Sequence, residues 1–401
     1  MTVETAAGTE NSVTDGRTYE KTEDDESPDA AIFSECDLIL EGEGTLAVSG
    51  QFQEGIRGKD DVTVASGTIR IEALNDGLKG KDAVYIEGGT LEITAGDDGI
   101  QSDNEKDSDK GFVTVSGGTV TIDAVGKGIQ GESRVDISGG KVAVVNSEEG
   151  IEALVIEISG GEVDIFAADD GINAAGSSGM AGEPGAAGGS GKAGNLDLAG
   201  EAGGGRHPFG GVTEGACITI SGGTLRINAG GDAIDSNGDL NIEGGAVYLE
   251  GPTSGGDGIL DFAGNGSMTG GILAGTGSAG MMQLFEGDEN QAMIVVYFEE
   301  WQSAGTTVTV EMCIRDRSYT PYLSMKLGKI RLVPYHRPGS EELFAAFRER
   351  AGEGNGYLLA NHGPVVGGET LMEAFYGLEE LEESARIAWE LRNGDGRLIE
   401  E

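Results

Sequence analysis

The stretch VYIEGGTLEITAGDDGI, Val84 to Ile100, is answered by VTVSGGTVTIDAVGKGI, Val113 to Ile129. VDISGGKVAVVNSEEGI (Val135 to Ile151) and IEISGGEVDIFAADDGI (Ile156 to Ile172) follow it. Further copies are ITISGGTLRINAGGDAI from Ile218, the looser VTVASGTIRIEALNDGL from Val62, and LNIEGGAVYLEG from Leu240. LILEGEGTLAVSG, from Leu38, reads as an opening copy with altered spacing. The place of the first glycine in the Gly-Gly pair recurs at Ser66, Gly88, Gly117, Gly139, Gly160, Gly222, Gly244 and Gly270, in steps of 22, 29, 22, 21, 62, 22 and 26. A basic unit of about 22 residues therefore carries two main insertions, and a period in this range marks a solenoid or related array.

Within each unit apolar residues alternate, as in Val84, Ile86, Leu91 and Ile93, which is the period of strands with one face inward. The Gly-Gly between them makes a corner that a Cβ would obstruct. A third, short side is marked by the Ile of Asp-Gly-Ile. No segment before Val310 has helical periodicity. The expected fold is all-β: a right-handed parallel β-helix of about nine coils stacked at roughly 4.8 Å. A β-propeller fits less well, since its blades need about 40 residues or more.

Residues 1–35, polar and acidic, are expected to be disordered. Residues 173–214 form a Gly/Ala/Ser excursion read as a flexible surface loop. MIVVYF and TTVTV, within 281–310, are expected strands capping the C-terminal end of the rod, which spans residues 36–310.

The charge divides along the chain. Residues 1–310 hold 15 Lys and Arg against 54 Asp and Glu, and residues 311–401 hold 11 against 16. The formal charge of −44 argues against nucleic acid and anionic membrane surfaces, and favours multivalent cations. No run of about 18 apolar residues spans a membrane. The first residues lack the basic and apolar regions of a signal peptide, so the chain is expected either to be cytoplasmic or to start downstream of its true beginning. Cys36, Cys217 and Cys313 are isolated and give no disulfide framework.

Stacking in register turns one acid per unit into a column. The turn position carries Asp76, Asp98, Glu149, Asp170, Asp232 and Asp257, preceded by a second acid at Asp97, Glu148 and Asp169. The 7-residue insertion adds Asp103, Glu105, Asp107 and Asp109. Two like charges about 5 Å apart repel by roughly 3 kcal/mol at an effective dielectric near 20. Ca²⁺ relieves that repulsion and takes oxygen ligands, so these residues are candidate calcium ligands. The bland alternative is ordinary Asp-Gly turn chemistry with solvated carboxylates.

A second column is basic: Arg57 and Lys79, with Lys59 and Lys81, in GIRGKDD and GLKGKDA. These four are candidate contacts to uronate carboxylates, or else partners of Asp60, Asp61 and Asp82 in salt bridges. Pectate lyases combine Ca²⁺ with a basic residue on a β-helix, but nothing beyond Arg57 and Lys79 nominates a base here. Aromatics are sparse in the coils (Tyr85, Phe112, Phe166, Tyr248 and Phe262), so platforms for neutral sugars look poor.

The segment from Asn75 to Ala124, NDGLKGKDAVYIEGGT and onward, resembles bacterial secreted carbohydrate-binding β-helix proteins. The resemblance covers roughly residues 31–310. It implies non-catalytic binding of acidic, polygalacturonate-like polysaccharide, associated calcium, and an extracellular or cell-surface setting with an export signal upstream. The alternatives are a structural adhesin or spacer, and a uronate lyase-like enzyme.

From Tyr319 the pattern becomes α/β. SEELFAAFRERAG is an amphipathic helix, GYLLA a buried strand, and ETLMEAFYGLEELEESARIAWELRNG a long helix. LLANHGPVVGG, with YTPYLSMKLGKIRLVPYHRPG upstream, resembles the class II aldolase/adducin family, and most of all its 3-oxo-tetronate 4-phosphate decarboxylases. The resemblance makes residues 319–401 a truncated α/β fragment, covering about the last third of that fold, and His362 a relic zinc ligand. The family's other ligands come from a His-x-His, and this chain has only His207, His336 and His362. A lone imidazole cannot build a three-ligand site, so Zn²⁺ is expected only in the fragment's parent, and no enzyme activity here. The seam EMCIRDRS, within the 311–318 junction, resembles translated adaptor-like sequence at spurious joins, so the chain is expected to be a chimera.

Overall fold

Each repeat closes into one three-sided coil. In the computed structural model, which describes residues 1–18, 28–176, 212–285, 293–298, 300–303, 305–306, 322–352, 354–360 and 362–391, the Val84 unit runs as strands Ala83–Ile86, Thr90–Ala95 and Ile100–Ser102. The first strands of successive units stack from Thr2–Thr5 to Gly266–Met268 as a ten-stranded sheet, and the second from Glu10–Thr14 to Ile272–Thr276 as another. The short third strands make a nine-stranded sheet from Ala30–Ser34 to Leu260–Phe262. Every pairing in the three sheets is parallel, and coils are numbered below by their first strand, so Ala83–Ile86 opens coil 4.

The register follows the sequence period. Val84 faces Val62 on one side and Val113 on the other, and Ile156 faces Ile218 across the long insertion. Inward residues of all three sides form one apolar stack. Val84, Val113, Val120, Ile129 and Ile172 are fully buried within it. Two glycine positions are dictated by geometry. The second of each Gly-Gly pair turns the corner at positive φ, 79° at Gly89 and at Gly118. At the other corner a Cβ on Gly99 would lie 2.4 Å from Ile122 Cγ2 and 2.6 Å from the Gly128 carbonyl of the next coil.

Three expectations are corrected. Residues 1–35 do not read as disordered along the described part: Thr2–Thr5 and Glu10–Thr14 pair with coil 2, and Val3 and Val13 pack against the core. This coil looks unlike the others because it lacks the Gly-Gly pair and carries polar residues at inward places. Asn11 accordingly stands in the register of the buried Leu46. Residues 293–298, MIVVYF, carry no strand. The excursion begins later than expected, since Ile172–Ala174 is a strand of the third sheet. The rest of that loop from 177 to 211, the 311–318 seam and nearly all of TTVTV lie outside the described residues.

The C-terminal unit, Phe298–Glu401, carries the expected α/β elements. A short helix (Tyr322–Leu327) precedes a three-stranded sheet in which Arg331–Val333 pairs parallel to Gly356–Leu359, itself antiparallel to Gly363–Val366. Helix Glu341–Arg350 starts at Ser340, whose Oγ accepts from the Leu343 N–H at 3.2 Å. Helix Leu371–Leu391 completes the unit. Its buried cluster is Leu327, Ile330 and Leu381, small beside the stack that runs through the rod.

Candidate functional site

The corner before the third side builds the acidic column, and register decides its members. Asp98 Oδ1 accepts the Lys127 N–H at 2.7 Å, Asp170 Oδ1 the Asp232 N–H at 2.8 Å, and Asp76 Oδ1 the Asp98 N–H at 3.3 Å. Each acid thus caps the corner N–H of the next coil, which the sheets leave without a partner. Asp232 does the same for the N–H of Gly258 at 2.6 Å. Gly258, not Asp257, therefore occupies the ninth corner, and Asp257 stands one place earlier, where it accepts from Ser254 Oγ at 2.6 Å. The extra residue in the GGDGIL turn shifts the count, since Ile234 pairs with Leu260. The column also includes Glu54, 4% exposed, which the sequence reading missed because its unit reads Glu-Gly-Ile.

Three residues after each corner residue stands the central, outward residue of the third strand. In register these are Arg57, Lys79, Gln101, Gln130, Glu152, Asn173, Asp235 and Asp261. The series passes from cations through amides to carboxylates along the rod, with Asn173 set among the carboxylates. Its acidic half was not nominated from sequence, although the outward place in each Ile-x-Ser or Ile-x-Ala triplet was readable.

At the basic end the proposed metal and ligand sets neutralise each other. Lys79 Nζ lies 3.1 Å from Asp76 Oδ2 and 3.1 Å from Asp103 Oδ2, and Lys81 Nζ is 2.9 Å from Asp103 Oδ1. Arg57 pairs with Asp29. Lys59 sits over the Phe33 ring at 5.7 Å with Glu35 3.9 Å away. Asp82 pairs with Lys110 at 2.6 Å rather than with Lys81. Burial would lower the Lys79 ammonium, but the two carboxylates outweigh it and hold the group above its ordinary value. Burial also keeps Asp76 above the usual carboxylate range despite Lys79. Asp103 is held below that range, Lys79 and Lys81 outweighing its burial. In the insertion, Asp107 and Asp109 are exposed, and Asp107 Oδ1 accepts the Asp109 N–H at 3.1 Å. The flanking acids Asp97, Glu148 and Asp169 are exposed.

At the other end, carboxylates face carboxylates. Burial, then the charges of Asp170, Asp261 and Asp232, push Asp235 up to about 8. Burial raises Asp170 to about 7, against the N–H bond from Asp232 and with Asp169, Asp232 and Asp257 adding to it. Asp232 rises to about 6, chiefly by burial. Glu149 is raised well above its ordinary value by burial and by the adjoining Glu152. Lys127 reaches Glu152 but lies at coil 5. Glu149 Oε2 and Asn173 Oδ1 are buried with no hydrogen-bond partner among the described residues. These are hard oxygen donors of the kind Ca²⁺ takes, so the donor set fits. Among the described residues, no three or more His, Cys, Asp or Glu side chains are already gathered around one point in the way a metal ion needs.

His362 does not fit zinc. Its Nε2 lies 2.7 Å from the His336 carbonyl, and its ring stacks on Tyr335 at 5.2 Å. Among the described residues, His362 belongs to no group of three or more His, Cys, Asp or Glu side chains that could hold a metal ion.

A three-sided parallel solenoid bearing a graded polar column on one side defines a β-helix repeat protein with a small α/β unit after it. Residues 1–192 and 145–258 match the model of the family described as carbohydrate-binding domain-containing protein, and the chain belongs to that family. Residues 299–389 match the Class II Aldolase and Adducin N-terminal domain. A carbohydrate-binding domain-containing protein of Acetivibrio thermocellus is 38% identical over 72 residues, 18% of this chain and 25% of that protein. The 3-oxo-tetronate 4-phosphate decarboxylase of Escherichia coli K12 is 49% identical over 71 residues, 18% of this chain and 34% of the enzyme. That of Haemophilus influenzae is 45% identical over 74 residues, 18% and 35%. The chain thus spans about a third of the length of the decarboxylases it matches. A solved polysaccharide lyase-like protein from C. thermocellum, a gadolinium derivative, is similar over 40% of this chain and 61% of that one, with 33% identity and a TM-score of 0.33.

Proposed function

We propose that the solenoid binds acidic, polygalacturonate-like polysaccharide without cleaving it, at the bacterial cell surface, with Ca²⁺ bridging protein and glycan. The observation that carries this reading is the acidic half of the third side, where the corner acids Glu149, Asp170 and Asp232 of coils 6 to 8 are joined by the outward Glu152, Asp235 and Asp261 of coils 6, 8 and 9, with Asn173 on coil 7. A chain of charge −44 repels a polyuronate, so attraction between them needs a cation shared by both sets of carboxylates. Coils stack about 4.8 Å apart, close to the length of one sugar residue, so the carboxylates of an extended uronate chain can follow the column. Catalysis is not part of the reading, because the basic residues that could abstract a proton are engaged: Arg57 with Asp29, Lys79 with Asp76 and Asp103. The C-terminal unit adds no zinc chemistry to it.

The test is calorimetric titration of the whole chain with polygalacturonate in Ca²⁺ and in EDTA, with ultraviolet absorbance followed for unsaturated product. The expected result is binding in Ca²⁺, loss of at least about tenfold in affinity in EDTA, and no absorbance change. Binding indifferent to EDTA removes the calcium bridge, and growing absorbance makes the protein a lyase.

A further inference from the structure

A different side of the rod carries a groove that the acidic column does not explain. On the second side, the pairing of Thr119–Ala124 with Lys141–Asn146 slips after Ile122, so that Asp123 faces Asn146 and Val145 is left over. Val145 is pushed outward, 51% exposed. Phe166 on coil 7 and Tyr248 on coil 9 line the same face, 51% and 42% exposed, against the expectation that the coils are poor in stacking platforms. Arg226 lies between them in sequence of coils, its guanidinium 5.8 Å from the Tyr248 ring centre. Together they line a shallow groove of about 460 Å³.

The polar groups around the rings are held in place and compensated. Arg226 Nη1 is 3.0 Å from Glu162 Oε1 and 3.2 Å from Asp164 Oδ1, and Lys141 reaches Glu162 at 3.4 Å. Asn228 donates to Glu250 at 2.8 Å. Fixed carboxylates accept hydrogen bonds from hydroxyls but repel a polyanion. Exposed rings on a sheet suit the C–H face of a pyranose. Phe166 and Tyr248 are two strands apart and two residues apart along the strand, a separation of roughly 12 Å, about the length of a disaccharide.

We infer that the groove formed by Val145, Phe166, Arg226 and Tyr248 is a second glycan subsite, one that takes neutral β-1,4-linked pyranose chains by stacking and does so without a cation. This rests on the carbohydrate-binding class of the solenoid and is independent of the calcium bridge on the third side. The probes are cello-, xylo- and mannohexaose, titrated into the whole chain in EDTA. At least one is expected to bind, and a Phe166→Ala/Tyr248→Ala variant to bind it at least about tenfold more weakly, with calcium-dependent binding of polygalacturonate unchanged. Val145→Arg, which fills the groove from an exposed position without touching the core, is expected to give the same loss. Failure of all three hexasaccharides to bind, or unchanged affinity in either variant, overturns the subsite. Loss of the polygalacturonate signal alone overturns only the calcium reading.

Discussion

Coils 2 and 3 and coils 6, 8 and 9 present the same third side with opposite electrostatics, while Gln101, Gln130 and Asn173 hold the same place on coils 4, 5 and 7. The order is alike at both ends: a corner residue, then a glycine (Ala233 on coil 8, Ile259 on coil 9), an inward Ile or Leu, and an outward side chain. At the first end the outward residue is Arg57 or Lys79 and answers the corner acid, as in the 3.1 Å contact of Lys79 with Asp76. At the second it is Glu152 or Asp235 and aggravates it, adding to the burial that drives Asp235 up to about 8. The corner acid is therefore a structural part of the coil, while the residue three places later decides what that part of the rod can hold. A column of acids is not in itself a column of ligands.

The largest effect is expected where compensation is tightest. Lys79→Met should cost about 3–5 kcal/mol in denaturant unfolding, because Asp76, only 1% exposed, keeps its place with no cation beside it. A loss below about 1 kcal/mol would mean that solvent, not Lys79, compensates Asp76, and the contrast between the two ends would shrink to one of sequence. Next come the caps. Asp98→Ala strips the acceptor from the Lys127 N–H and should cost about 1–3 kcal/mol, whereas Asp98→Asn keeps an oxygen there and should cost less than half as much. Equal losses from the two would show that the charge, not the hydrogen bond, matters at the corner.

Much of this was legible in the amino-acid order, and the failures have physical causes. The strand register repeats the glycine steps, 22 between Val62 and Val84 and 29 between Val84 and Val113, because parallel stacking forces equivalent residues over one another. Helices Glu341–Arg350 and Leu371–Leu391 and strand Gly356–Leu359 followed from periodicity, whereas the short Tyr322–Leu327, Arg331–Val333 and Gly363–Val366 are too brief to show a period. The first coil was missed because it lacks the Gly-Gly and Asp-Gly-Ile marks and sets Asn11 in the place of Leu46, leaving only Val3 and Val13 as signals. Asp257 was placed one residue off because a single added residue in its turn leaves the motif Asp-Gly-Ile intact while moving the pairing to Leu260. The pairing of Lys79 and Lys81 with Asp103 was hidden because residues 22 to 24 apart become neighbours only once coils stack. The aromatic groove was hidden by a bulge, which composition does not report.

The smallest effect is the most discriminating, since the carboxylate crowding it reads is greatest at the acidic end. A carboxyl raised on folding binds its proton more tightly in the native chain than in the unfolded one. Between the ordinary carboxylate range and its raised value, the native state therefore holds the extra proton, and stability falls as pH rises. Asp232 and Asp98 at about 6, Asp170 at about 7 and Asp235 at about 8 place that decline between about pH 4 and pH 8. Asp103, held low by Lys79 and Lys81, contributes the reverse slope, confined to pH below the ordinary carboxylate range. In EDTA, the melting temperature should drop from pH 5 to pH 8, and Asp235→Asn should flatten the drop and raise the melting temperature at pH 8. Added Ca²⁺ should flatten it in the parent and do less in the variant, because a cation at the acidic end favours the ionised carboxylates that high pH produces. A parent that is as stable at pH 8 as at pH 5 without Ca²⁺ would mean that water already relieves the crowding of Asp170, Asp232 and Asp235. The acidic end would then be only a solvated face, with no cause to gather a cation.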